Sequence, residues 1–210
     1  AYDLSFTGGT NKFGQSGFTF TNTGSLVLGD IVTDSFTFGG GLTATAADRL
    51  VLAATITAAG PVQLGSSTTP VELAGSTVID TEAANGAITF ANGVDLAADA
   101  LGGGLRLRSG AGAIAIEGDV GQTHGLSFFE IDDANQTGVA TIGTATTAGS
   151  IDAYRIKLTD TVLFGSATLT GDEILLGGTL SGEQTDRSNT LSIQSRNVGD
   201  TIDLGVGFTH

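Results

Sequence analysis

The chain has 210 residues with 33 glycines, 2 prolines, no cysteine and 40% hydrophobic residues, and 22 acids against 8 bases give a net charge of −14. That balance excludes nucleic acid as a partner, because neutralising phosphates takes clustered Lys and Arg, and the lack of cysteine excludes disulfides and thiolate metal sites. No apolar run approaches the ~18 residues of a membrane span, so membrane insertion is not expected.

The opening Ala1-Tyr2-Asp3 lacks a charged n-region and an apolar h-region, so the chain is expected to be a processed product or a piece of something longer. From Tyr2 to Phe38 the sequence holds Phe6, Phe13, Phe18, Phe20, Phe36 and Phe38, six of its eleven phenylalanines. Two readings stay open for residues 1–25. Rings gathered at one end suit an entry or capping region, and they equally suit ordinary inward-facing strand residues.

From Leu26 onward, short alternating triplets follow one another. They include Leu26-Val27-Leu28, Phe36-Thr37-Phe38, Leu50-Val51-Leu52, Val71-Glu72-Leu73 and Ile88-Thr89-Phe90, then Ile114-Ala115-Ile116, Ile156-Lys157-Leu158, Ile174-Leu175-Leu176 and Ile202-Asp203-Leu204. A two-residue period with a mostly polar middle position describes a strand with one buried and one wet face. Corners are expected at Gly39-Gly40-Gly41, Asn92-Gly93, Gly102-Gly103-Gly104 and Gly177-Gly178, where the backbone can turn sharply. The Ala-rich stretches Thr45 to Asp48 and Leu96 to Leu101 are expected to be strand rather than helix, because of β-branched neighbours.

An Asn-Gly corner can also close an antiparallel hairpin, but strands this short with corners this frequent suit a parallel stack of coils. Similar phrases begin at Leu26, Leu50 and Val71 and again at Ile88 and Ile114. Steps of roughly 20 to 25 residues lie in the range of solenoid repeats. The prediction is one all-β domain over 1–210, a single-stranded parallel β-helix (β-solenoid) of about nine or ten coils.

The phrases Gly24 to Gly60, Ala87 to Gly121 and Thr168 to Gly182 resemble the repeat regions of filamentous-haemagglutinin-like adhesins, large secreted bacterial exoproteins. The shared grammar is an alternating strand, a Gly or Asn corner, a second short strand and a glycine. The resemblance implies a right-handed parallel β-helix exposed at or beyond a cell surface, although the chain lacks a recognisable secretion-domain signature.

β-Helices also host polysaccharide lyases and hydrolases. Galacturonase-type enzymes carry a paired acid, a later glycine-flanked histidine and an Arg-Ile-Lys element, in that order. Asp132-Asp133, Thr123-His124-Gly125 and Arg155-Ile156-Lys157 look similar, but His124 precedes the acids and Arg155 follows Asp132 by about one coil, where the family needs several. Glycoside cleavage needs two carboxylates facing each other across the substrate, and nothing in the sequence supplies that pair.

Glu130, Asp132 and Asp133 form the densest acidic cluster, where incidental calcium could bind, although no calcium-roll nonapeptide or EF-hand loop occurs. Two histidines without cysteine make a zinc site implausible, and Gly102-Gly103-Gly104 precedes a strand, so no helix N-terminus waits there for phosphate. The threonines of Thr141 to Thr147 resemble the flat threonine arrays of ice-binding solenoids but are read as not repeating at coil spacing, and Asn135-Gln136-Thr137 matches a glycosylation sequon common by chance.

No catalytic, cofactor-binding or metal residue is assigned, and no cofactor is expected. The expected role is structural and adhesive: an acidic extracellular or cell-surface rod, a segment or subunit of an adhesin or fibre. Its expected partners are other copies of itself, a larger surface protein, or glycans of a host or neighbouring cell. The alternative is a polysaccharide-active β-helix enzyme.

Overall fold

Alternating apolar and polar residues become strands because only extended backbone sends every second side chain to the same face. A computed structural model describes residues 1–131, 138–144, 148–183, 190–197 and 203–204. The first coil holds β1 (Leu4–Phe6), β2 (Thr10–Phe13) and β3 (Phe18–Thr19). β4 (Ser25–Leu28), β5 (Ser35–Phe38) and β6 (Leu42–Ala44) make the second; β7 (Arg49–Leu52), β8 (Thr55–Ala58) and β9 (Val62–Leu64) make the third. The fourth has β10 (Val71–Leu73), β11 (Thr77–Asp80) and β12 (Ile88–Phe90), and the fifth β13 (Val94–Leu96), β14 (Gly104–Arg108) and β15 (Ile114–Ile116).

The sixth coil is built from a bridge at Val120, β16 (Leu126–Ile131) and β17 (Ala140–Ile142). β18 (Ile151–Phe164) then bends through a whole coil as one strand. β19 (Ala167–Thr170) and β20 (Glu173–Glu183) follow, and β21 (Leu191–Gln194) and β22 (Asp203–Leu204) pair onto them.

Each strand pairs in parallel with its counterpart one coil on, so the coils stack into three sides. The first side begins with β1, the second with β2 and the third with β3. The result is a parallel β-solenoid of about seven turns, fewer than the nine or ten the spacing predicts. Along the first side, seven steps lead from Leu4 through Leu26, Leu50, Val71, Val94, Val120 and Ile151 to Leu169. The steps average about 24 residues, as the spacing predicts, although single ones range from the 31 between Val120 and Ile151 to the 18 between Ile151 and Leu169; the estimate overshot because it divided all 210 residues into coils.

Inward side chains form continuous columns. Phe36, Ile56, Ile79 and Leu107 line the second side, and Leu64, Phe90, Ile116 and Ile142 the third, all buried to 0% exposure. Each coil buries its apolar face only against its neighbours, so the core grows along one axis. In residues 1–25, Phe6, Phe13 and Phe18 are strand residues of a regular coil and Phe20 follows directly after β3. Phe13 stacks on Phe38 at 4.6 Å and meets Phe18 at 4.7 Å, while Phe6, Phe13 and Phe18 are only partly buried.

Gly39 to Gly41, Asn92-Gly93 and Gly102-Gly103 are corners as expected, but Gly104 opens β14 and Gly177-Gly178 lie inside β20. There the chain bends without leaving the ladder: Gly178 takes φ 67°, and Asp160, in the coil before, takes φ 43° at a register shift. Gly29 also needs its residue type, because at φ 80° any Cβ would strike the Ala53 carbonyl of the next coil. Residues 45–48 and 97–101 are neither strand nor helix, contrary to expectation. Ala46-Ala47 and Ala97-Ala98 simply turn the chain there, with Ala100 N–H donating to the Ala97 carbonyl at 3.0 Å.

Candidate functional site

Among the described residues, the candidate residues meet in the charged ladder on the outside of the second side. Strand register puts Arg106, Glu130, Lys157 and Leu175 in one outward row across β14, β16, β18 and β20. The adjacent row is Gly104, Phe128, Arg155 and Glu173. Gly104 is required by this packing, since a Cβ there would lie 2.5 Å from the Phe128 ring. The ring therefore lies down over bare backbone, and the Arg155 guanidinium sits 5.9 Å from its centre, a cation–π arrangement.

Glu130 lies beneath the two arginines. It is only 3% exposed, its Oε2 accepts from Arg106 Nε at 2.7 Å and Nη2 at 2.6 Å, and its Oε1 accepts from Arg155 Nη2. Burying a carboxylate is unfavourable unless charge and hydrogen bonds both compensate, and here they do. One coil back, Arg108 and Asp80 stand 3.7 Å apart. Both oxygens are engaged by guanidinium donors, so Glu130 anchors the two arginines on either side of its coil. The geometry is that of a clamp across three coils.

A second cluster lies along the outside of the first side and its two corners. Asp95 accepts from the backbone N–H of Thr123 at 3.1 Å and of His124 at 3.0 Å, and Asp119 accepts from Ser150 N–H at 2.7 Å. Asp152 pairs with Arg196 Nε at 3.0 Å. Burial pushes the Asp119 carboxyl above its ordinary value, against the lowering effect of the Ser150 N–H. Burial raises Asp152 too, with Arg196 opposing and Asp95 adding to the shift. Beside this cluster is a cleft of about 450 Å³ lined by Leu96, Leu101, Leu126, Tyr154 and Arg196. It arises because the corner at 97–103 projects while β18 passes straight from Asp152 to Tyr154 without one.

The structure thus brings Arg155, Lys157 and Glu130 onto one face and leaves His124 at the corner, bonded through its backbone to Asp95. Asp132, Asp133 and the sequon at 135–137 lie outside the described residues. Sequence reasoning missed Arg106 as a partner of Glu130. The usable signal was distance along the chain: Arg106 precedes Glu130 by 24 residues and Arg155 follows it by 25, one coil each way. Among the described residues no group of three or more His, Cys, Asp or Glu side chains is arranged to hold a metal ion. Compared with protein-family models, curated proteins and solved structures, the chain shows no significant similarity to any.

Proposed function

We propose that this chain is a structural and adhesive solenoid, a segment or subunit of an extracellular surface adhesin or fibre, with other copies or a larger surface protein as its axial partner. The observation that carries the reading is the parallel stacking of coil on coil along one axis. Among the described residues β1, β2 and β3 pair with β4, β5 and β6, and Phe6, Phe13 and Phe18 are half-covered above the packed rings of Phe20, Phe36 and Phe38, an edge that preceding chain or another copy would continue in the same way. Unpaired strand edges template further pairing, and three partly wet rings add apolar area that another coil would cover. The clamp at Glu130 fits the same reading, since it ties neighbouring coils together. The acid-rich composition keeps such a rod soluble, and the likeness to haemagglutinin-type repeats supports placing it outside the cell.

Electron microscopy of the purified chain over a rising concentration series tests the proposal. Filaments that lengthen with concentration and shorten in Phe13→Lys are expected; only short, monodisperse rods at the highest concentration would overturn axial stacking.

A further inference from the structure

The tripeptide Ala-Asn-Gly occurs twice, as Ala84-Asn85-Gly86 before β12 and as Ala91-Asn92-Gly93 between β12 and β13. In both, a neighbouring coil dictates the glycine. A Cβ at Gly86 would strike the Gly60 carbonyl of the coil before, and one at Gly93 would strike the Asp119 carbonyl of the coil after. Glycine leaves its own backbone nitrogen unshielded, and that nitrogen is the group that can displace ammonia from the preceding asparagine side chain. Two identical sequences therefore differ in reactivity only through the way the fold holds them.

At Asn92 the Gly93 N–H donates to Oδ1 of Asn92 itself at 2.7 Å, so the nitrogen already lies against the carboxamide it would attack. Nδ2 of Asn92 donates to the Ser67 carbonyl at 3.2 Å in an exposed bond, where departing ammonia passes directly into water. At Asn85 the same two groups are drawn apart. Its Oδ1 reaches into the next coil to accept from Ala111 N–H at 2.8 Å, while Gly86 N–H donates to the Thr81 carbonyl at 3.2 Å. The Gly86 carbonyl in turn accepts from Thr81 Oγ1 at 2.5 Å, and Asn85 sits at φ 52° after the 3-10 turn Glu82–Ala84. From this contrast we infer that Asn92 is a site of spontaneous self-modification, deamidation through a cyclic imide, and that the fold locks Asn85 against it.

Hydroxide removes the Gly93 amide proton, and the nitrogen bonds to Cγ of Asn92. The Cγ–Nδ2 bond breaks, Nδ2 takes a proton from water and leaves as ammonia, and a succinimide ring remains. Water then adds to one of its two carbonyls. Breaking the new Cγ–N bond gives aspartate; breaking the original peptide bond to Gly93 gives isoaspartate, whose backbone runs through Cβ and Cγ. Water is the only co-reactant. Holding the reacting atoms together is what the folded corner contributes. Either product replaces an amide packed against Gly118 with a carboxylate and removes the donor that ties this corner to Ser67 in the coil before. The modification goes beyond axial stacking and does not rest on it.

The unaltered chain is incubated in mildly alkaline buffer, folded and in guanidinium chloride, and samples are digested with an acid protease at intervals. Mass spectrometry of the peptides holding 85–86 and 92–93 follows the exchange of amide for acid, and isoaspartate methyltransferase labelling identifies the rearranged product. In the folded chain Asn92 is expected to convert at least tenfold faster than Asn85. In denaturant, where only the shared tripeptide remains, the two rates should agree, and Asn92 should react no faster there than when folded. Asn92→Gln, whose longer side chain would have to close a larger ring, should abolish conversion at this corner and leave Asn85 as it was. Thr81→Val, which removes the Oγ1 bond to Gly86, should speed Asn85 and leave Asn92 unchanged, with urea midpoints confirming that both variants fold. Equal rates in the folded chain, a faster Asn85, or an Asn92 that folding slows would each overturn the inference.

Discussion

Replacing Glu130 with alanine removes a carboxylate that is 3% exposed and that three guanidinium nitrogens reach. An opposite-charge pair near 4 Å is worth about 4 kcal/mol at an effective dielectric of ~20, and burying the carboxylate costs several kcal/mol in return. Arg106 and Arg155 keep 37% and 39% of their side-chain surface in water, so they rehydrate when the carboxylate is lost. The loss therefore falls below the roughly 3–5 kcal/mol of a fully buried pair, and about 2 kcal/mol is expected for Glu130→Ala. Replacing the whole clamp, as Arg106→Met, Glu130→Leu and Arg155→Met together, removes the buried carboxylate with its two arginines and should return to within about 1 kcal/mol of the parent. Urea unfolding followed by circular dichroism measures both changes. A Glu130→Ala loss under about 0.5 kcal/mol, or a triple variant weaker than the single one, would refute the clamp.

Three further outcomes are expected. Phe90→Ala empties a fully buried site between Leu64 and Ile116 on the third side. It should cost about 3–5 kcal/mol and split urea unfolding into two stages, because coils touch only their neighbours; one sharp transition at the parental midpoint would contradict this. Gly29→Ala forces a left-handed backbone and a clash with the Ala53 carbonyl, for a loss of about 1–3 kcal/mol read from the same urea curves.

Asp119→Asn should stabilise the fold at neutral pH. Burial raises the folded-state value of Asp119, so the folded form holds the proton more tightly than the unfolded chain, and stability from this group falls as pH rises through that folded value. The asparagine keeps an oxygen for the Ser150 N–H. Its advantage should vanish in acid, below the ordinary carboxylate range, where Asp119 is protonated in both states; an advantage unchanged between pH 7 and pH 3 would count against this account.

The sequence revealed strands wherever large apolar residues alternated. Leu50-Val51-Leu52, Ile88-Thr89-Phe90 and Ile114-Ala115-Ile116 are strands with their outer pair buried. β11, β17 and β19 were not legible, because their inward positions include Thr77, Ala140 and Ala167, which do not register as a hydrophobic period. Where each corner begins and ends was also hidden, because corner length leaves no periodic mark, and Ala53-Ala54 make the same turn as the seven residues 97–103. For the site, Glu130, Arg155 and Lys157 stood out by composition, but only register showed that Arg155 reaches back to Glu130 while His124 stays at the corner.

β18 turns through an entire coil without leaving its ladder, and this fixes where the molecule tolerates inserted sequence. A peptide grafted at 97–103, where Leu101 projects fully into solvent, lengthens an excursion that already lies outside the pairing. The same graft between Asp152 and Ala153 would interrupt bonds to the coils on both sides. Epitopes, cleavage sites or fused domains therefore belong at the protruding corners of the earlier coils, while the coil of β18 acts as the gasket that must pass from one half of the stack to the other unbroken.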